Sequence, residues 1–389
     1  MLALIKKDLE KILLAAGVTG AIELTSPPNP ALGDFAFPCF RLAGIFKKNP
    51  VDIAKQIAKE IKPSSNIEKI EAKGPYLNFF VNKKQTFEHI LNLDENYGKS
   101  SEGKNKKIVV DFSGPNIVKP MHVGHIRSTI LGDSIIRTYN FLGYKTTGIN
   151  YLGDIGLHIG KLIVAYELWL DKKALKQDPV KELLRLYVRF CKKEKSQVSE
   201  GQDEAGEEFL DNEWTNKAKE KIRLIEIGDK EAHRIWKEIR DASGKGFDKV
   251  YKILNVNFSE TTGQSFFSDK GKSIITEALK KGLAKPESDG AVYVEFKDKK
   301  GEETLPKRYV LRSNGTASYI TQDIGALVER NKKYQFDKII YITDYRQRLH
   351  FQQLFEILKR FGNNFTDKCE HLGLVTLNFG KEILASRTG

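Results

Sequence analysis

The sequence predicts an α/β protein in which a doubly wound parallel sheet carries a largely helical insertion and follows a small α/β domain. Three observations point to it. Ile108 to Phe112 is a short apolar run of the kind that forms a buried parallel strand, and it leads into a helical stretch from roughly Met121 to Leu142. Gly143 then serves as a C-cap and a second strand follows near Thr146 to Asn150, giving a βαβ unit whose crossover is right-handed in nearly all sheets. Much later, Lys338 to Thr343 reads as a strand and Leu349 to Phe361 as a helix, the second half of the same sheet.

Taken in order, the N-terminal run Met1 to Leu14 is interrupted by Lys6, Lys7, Asp8, Glu10 and Lys11, which excludes a signal-peptide core and predicts an amphipathic helix. Asn29 to Ala36 has turn chemistry followed by an apolar stretch, Val51 to Ile61 has helical spacing, and Gly74 to Val81 reads as a turn and then a strand. The expectation is therefore a unit of helix, loop, helix and strand. A polar run from Glu95 to Lys107 reads as an exposed linker, which places domains at 1–100 and 101–389. Residues from about 160 to 300 are mostly charged and helical, with an acidic patch from Glu200 to Glu213 and a hairpin from Gly290 to Val310. That stretch reads as an insertion, its acidic part a solvated face.

Composition narrows the function. At 389 residues the chain exceeds one ordinary core. No run of eighteen apolar residues exists, so no membrane span is expected and the location expected is cytoplasmic. The three cysteines, Cys39, Cys191 and Cys369, are too scattered for a disulfide framework or a Cys-x-x-Cys metal site. A net charge of +13 points to a polyanionic partner, although a genome rich in A and T would produce the same excess of lysine without any such partner.

The chemistry concentrates between Asp111 and His125. Pro120 suits the first position of a helix, which places His122 and His125 in the first turn on one face, beside unpaired backbone N–H groups and the positive end of the helix dipole. That environment favours a phosphate, and Gly124 leaves room for a flat base. A metal pair is disfavoured because no Cys, His, Asp or Glu lies within the next turn to complete a zinc site. Neither a Gly-x-Gly-x-x-Gly dinucleotide fingerprint nor a P-loop occurs.

Ser113-Gly114-Pro115-Asn116-Ile117-Val118-Lys119-Pro120-Met121-His122-Val123-Gly124-His125-Ile126-Arg127-Ser128-Thr129 resembles the first signature of arginyl-tRNA synthetases, class I enzymes with a HIGH motif. Asn150 to Gly156, Ser318 to Gly325 and Arg346 to Gln353 resemble further segments of that family. Gly33 to Ala36 and Gly74 to Phe80 are similar to its N-terminal domain. The resemblance implies a Rossmann-like, HIGH-type fold and ligation of L-arginine to its tRNA through arginyl-adenylate, with ATP and Mg²⁺ and no permanently bound cofactor. The partners it implies are tRNA(Arg), L-arginine and ATP, acting on a monomer, with the N-terminal domain touching the tRNA.

By that resemblance Asp111, Ser113, Asn116, Tyr319, Asp323 and Gln347 hold the arginine, and His122, Gly124, His125, Gln353, Ser386 and Arg387 hold ATP. A guanidinium is planar, always charged and offers five donors, so carboxylates, amides and hydroxyls can grip it and reject analogues without an editing domain. Taken alone, Asp323 also reads as the N-cap of a following helix and Tyr319 as core. His122, His125 and Lys119 are the catalytic candidates, the histidines as donors to the phosphoryl oxygens rather than as bases.

Lys119 matters because the family's second signature is degenerate here. Leu384-Ala385-Ser386-Arg387 stands for Lys-Met-Ser-Lys, and family members that lack its second lysine carry one just before the first signature. The same resemblance implies a helical anticodon-binding domain after that signature, and the expectation is that the chain stops before it and charges tRNA poorly. Competing readings are a small HIGH-type nucleotidyltransferase and a decayed synthetase relative acting as an RNA-binding or regulatory protein.

Overall fold

Leu9 and Leu13, four residues apart, both turn inward from the first helix, α1 (Leu2–Ala15), while Glu10 and Lys11 between them stay in solvent. In the computed structural model, which describes residues 2–20, 22–196, 200–202, 208–210, 212–375, 378–379 and 382–383, this helix belongs to the first of two compact units, Met1–Gly98 and Lys99–Gly389. The first unit continues with β1 (Phe35–Pro38), α2 (Pro50–Glu60), β2 (Ile67–Lys73), β3 (Tyr76–Val81) and α3 (Lys83–Leu91). Asn49 caps α2 by accepting from the Val51 N–H, and Pro50 takes the first helical position, where no N–H is needed.

The strands form an antiparallel sheet in the order β1-β3-β2, its core built from Phe35, Leu77 and Phe79. Strand β2 is absent from the expectation of helix, loop, helix and strand. Its sequence is mainly charged, it lies on the sheet edge, and a register shift between Ile67 and Lys69 breaks the alternation that would have marked it.

The second unit opens with β4 (Lys107–Asp111), α4 (Val123–Phe141) and β5 (Lys145–Leu152). Next come α5 (Leu157–Trp169), α6 (Pro179–Lys195), α7 (Glu213–Glu226) and α8 (Lys230–Leu254). Strand β6 (Glu260–Gly263), α9 (Ser268–Lys280) and the hairpin β7 (Val292–Lys297) with β8 (Glu303–Leu311) follow. The unit ends its regular part with α10 (Tyr319–Tyr334), β9 (Lys338–Asp344), α11 (Arg348–Arg360) and β10 (Cys369–Leu374).

Five parallel strands run in the order β10-β9-β4-β5-β6, the doubly wound arrangement expected from the sequence. Alternation along β4 divides the two faces. Ile108, Val110 and Phe112 pack with Ile135 and Ile136 of α4, whereas Val109 packs with Ile320, Ile324 and Leu327 of α10 and Leu354 of α11. The sheet's strand order reverses between β4 and β9, and in such folds ligands bind at that switch, beyond the carboxyl ends of the strands.

Two expectations change here. The edge strand β6 lies inside the stretch expected to be an insertion, and the helices α5 to α8 gather around a core in which Leu186, Phe190 and Ile239 join Ile117 and Val118 of the loop after β4 and Leu152 of β5. Of the acidic patch from Glu200 to Glu213, residues 203–207 and 211 lie outside the described residues. Pro120, expected at the first helical position, instead precedes the helix, which begins at Val123 with His122 as its N-cap. The histidine takes extended backbone angles and offers a ring nitrogen to the helix's own N–H groups, a role the proline cannot fill.

Candidate active site beyond the central strands

His122 and His125 face each other with ring centroids 4.0 Å apart. The His122 Nδ1 accepts from the Gly124 N–H at 3.1 Å, and the His125 Nδ1 accepts from the His122 N–H at 3.3 Å. A backbone N–H can only donate, so both Nδ1 atoms carry lone pairs and each neutral ring keeps its proton on Nε2. Burial and the nearby Lys119 charge lower the His122 pKa; burial, His122 and Lys119 bring His125 down to about 4. At neutral pH the pair therefore presents N–H donors, not bases. The small residue between them is forced, since a Cβ at Gly124 would stand 2.9 Å from the His122 Cε1.

The loop from β4 to this helix begins with two residues in the left-handed region, Ser113 at φ 72° and Gly114 at φ 51°. Serine tolerates that backbone poorly, and its side chain is held from two sides. Ser113 Oγ lies 2.9 Å from the Tyr251 hydroxyl of α8 and 2.8 Å from the Thr129 hydroxyl of α4. Asn150 at the end of β5 donates to that same Tyr251 hydroxyl at 3.2 Å and accepts from the Gly114 N–H at 3.2 Å. Asn116, exposed, bridges to Gly153, where an added Cβ would stand 1.8 Å from its Oδ1.

A cluster of charges lies under this loop. The Asp111 carboxylate meets Arg330 of α10 at 2.6 Å, both side chains buried. Burial pushes the Asp111 pKa up to about 6, Arg330 pulls it down and the charge of Asp323 pushes it further up. The Arg330 guanidinium also lies over Tyr151, 4.6 Å from the ring centroid. Asp111, expected to grip a substrate guanidinium, thus holds the chain's own.

Asp323 is not the helix cap it resembles in isolation: it is the fifth residue of α10, half-buried, and its carboxylate lies 2.6 Å from His350 Nε2. A carboxylate accepts only, which puts the proton on that nitrogen. Tyr319, the first residue of the same helix, places its hydroxyl 3.3 Å from His158 Nδ1 of α5.

The remaining candidates divide. Lys119 extends its Nζ over the Tyr187 ring at 5.5 Å. Gln347 is exposed immediately before α11, on the β9 side of the strand switch. Gln353, expected at ATP, is buried, and its amide donates to the Pro306 carbonyl of β8 at 2.9 Å. Ser386 and Arg387 lie outside the described residues.

Sequence reasoning assigned no role to His158, His350, Arg330 or Tyr251. The seven-residue spacing of Asp323 and Arg330, which puts both on one helix face, was a usable signal; the pairings across elements had none. A cavity of about 710 Å³ lined by Trp236, Thr262, Phe267 and Arg330 does not include either histidine of the loop. Among the described residues, no three His, Cys, Asp or Glu side chains converge to hold a metal, and no helix is long and apolar enough to cross a membrane.

Comparison with known proteins gives two family matches. Residues 86–389 match the model for tRNA synthetases class I (R), catalytic domain, and residues 1–81 match the arginyl tRNA synthetase N terminal domain. The chain is 41% identical over 367 residues to the arginine–tRNA ligase of Clostridioides difficile, covering 93% of the chain and 62% of that protein. It is 41% identical over 360 residues to the Halothermothrix orenii enzyme of the same name, covering 91% of the chain and 60% of the relative. The chain therefore spans about 60% of the length of these curated relatives. In fold it is similar to Thermus thermophilus arginyl-tRNA synthetase, with a TM-score of 0.65, 20% identity and coverage of 98% of this chain and 67% of that one. The Plasmodium falciparum arginyl-tRNA synthetase gives a TM-score of 0.61 at 23% identity, covering 96% and 65%.

Proposed function

We propose, on the premise that the chain belongs to the tRNA synthetases class I (R) family, that its parallel-sheet unit joins L-arginine to ATP and passes the activated amino acid to tRNA(Arg). In the first step an arginine carboxylate oxygen attacks the α-phosphorus of ATP, the bond to the β,γ-phosphates breaks, and arginyl-adenylate and pyrophosphate result. In the second, a terminal ribose hydroxyl of the tRNA attacks the arginyl carbonyl, loses its proton and expels AMP.

One observation carries the reading: two neutral histidines at the N-terminus of α4 whose Nδ1 atoms are taken by backbone N–H groups, so that both Nε2–H groups are donors. Charge grows on the phosphoryl oxygens as the carboxylate attacks, and fixed donors there lower the barrier by roughly 3 kcal/mol each, by analogy with oxyanion holes. Lys119 adds a cation beside them. Asp323 and Tyr319 are the proposed grips on the guanidinium, with Asn116 and Gln347 for the polar groups of the amino acid; Ser113 shapes the loop above them. Asp111 acts through Arg330, as part of the charged floor. Gly124 leaves room for the adenine.

Mg²⁺ enters as part of the ATP substrate, and the first unit is the proposed second contact with tRNA. ATP and tRNA imply a cytoplasmic location, and a monomer is the proposed state. The test is arginine- and tRNA-dependent pyrophosphate exchange. Activity that is lost in His125→Asn while arginine affinity is retained supports the assignment, whereas full activity in that variant would remove the histidines from the chemistry.

A further inference from the structure

Resting on the assignment of Tyr319 to the arginine pocket, we propose that His158 sets the direction of the Tyr319 hydrogen bond and so makes that hydroxyl an acceptor for the guanidinium. His158 is the second residue of α5. Its Nε2 lies 3.2 Å from the Gly153 carbonyl and its Nδ1 lies 3.3 Å from the Tyr319 hydroxyl. A carbonyl has no proton to give, so the Nε2–H donates to it. A neutral imidazole has a single N–H, which leaves a lone pair on Nδ1 for the Tyr319 O–H to donate into. With its one proton turned toward the histidine, the hydroxyl oxygen offers only lone pairs elsewhere.

The arrangement depends on the ring being neutral, since a protonated imidazole would donate from both nitrogens and turn the hydroxyl proton outward. Burial holds the His158 pKa at about 4, helped by the Lys119 and Lys161 charges and opposed by the bond to Gly153. The position of Tyr319 is fixed by a second device. Gly156 has φ 124°, and a Cβ there would stand 2.4 Å from the Tyr319 hydroxyl oxygen. The two glycines and the histidine belong to one segment, Gly153 to His158, which threads past Tyr319 as it enters α5.

The consequence is selective. A guanidinium brings only donors, so an acceptor-only hydroxyl suits it, whereas the ureido group of citrulline puts a carbonyl in place of one nitrogen and gains from a hydroxyl that is able to donate. His158 is thus a positioning residue for discrimination, acting through Tyr319.

Calorimetric binding of L-arginine and L-citrulline to the 389-residue chain and its variants tests this. In His158→Leu the preference for arginine over citrulline should fall by about tenfold, the scale of one hydrogen bond that changes sign. In His158→Gln, whose amide can donate to Gly153 and accept from Tyr319, most of the preference should return. In a Tyr319→Phe background, His158→Leu should move the ratio no further. A ratio unmoved in His158→Leu, with arginine still bound, overturns the proposal and leaves the assignment of the pocket standing. Failure of the parent chain to bind arginine overturns both. Should the leucine variant not fold, the ¹⁵N spectrum of His158 in the unmodified protein decides: a proton on Nε2 is expected, and a proton on Nδ1 is incompatible with the mechanism.

Discussion

Single side chains in this site work by hydrogen-bond polarity as much as by charge. The donors on His122 and His125 and the acceptor on Tyr319 all follow from which ring nitrogen a neighbouring backbone group or hydroxyl has claimed. Asp323 is the carboxylate of the proposed grip, so Asp323→Asn should weaken arginine by on the order of 1.5–3 kcal/mol and leave ATP nearly unchanged. Titration with each ligand checks this, and equal losses would point to misfolding instead. A pH dependence follows as well. His125 and His158 have folded pKa values of about 4, below the 6.5 of an unperturbed histidine, so between those values the unfolded chain binds protons that the folded one refuses. Each contributes a loss of about 1.4 kcal/mol per pH unit as pH falls through that window. Asp111, raised to about 6, works in the opposite sense over nearly the same range and offsets part of it. Replacing His158 with Gln removes one share, and the drop in Tm between pH 7 and pH 5 should shrink; an undiminished drop would mean that His158 is charged in the folded state.

At the level of elements, the signature helix α4 is seated by a missing side chain. A Cβ at Gly132 would stand 2.2 Å from the Phe112 ring, so helix and strand approach to a distance that no alanine permits. Gly132→Ala should therefore cost about 1–3 kcal/mol of stability by overpacking and displace the helix end that carries the histidines. Chemical denaturation measures the first effect, and a midpoint equal to that of the parent would show that the contact is slack. The strands and helices flanking the site were legible because each has a strong local pattern: Ile108 to Val110 is continuously apolar, and the histidine segment is a contiguous motif. What was missed has a physical reason in each case. Strand β2 hides behind its charges and its register shift, and β6 is four residues of Glu, Thr, Thr and Gly with no apolar signal. The site's internal partners, Arg330 for Asp111, His350 for Asp323, His158 for Tyr319, join residues 27 to 219 positions apart, a separation at which only tertiary packing decides who meets whom. The bond from the Gln353 amide to the Pro306 carbonyl, across 47 positions, is of the same kind.

Over the whole molecule the separation into Met1–Gly98 and Lys99–Gly389 is also a separation of cores. The residues around Leu9, Leu77 and Phe79 form a cluster drawn entirely from the first unit, and the three other clusters draw entirely from the second. Each unit should then fold without the other: a fragment of residues 1–98 is expected to give a dispersed NMR spectrum, and a collapsed one would show that its core needs the rest of the chain. Charge, by contrast, belongs to the chain as a whole. A surplus of +13 has two explanations, a polyanionic partner or a lysine-rich genome, and they differ in what salt does. Each phosphate neutralised on binding releases condensed counterions, so a fourfold rise in salt weakens binding by roughly a factor of 3 to 4 per contact. If the surplus serves tRNA, affinity for it should fall by at least roughly tenfold between 50 and 200 mM salt, equivalent to two or more contacts, while arginine affinity falls far less. A tRNA affinity that is flat across that range would assign the lysine excess to composition alone and leave recognition to shape and base contacts.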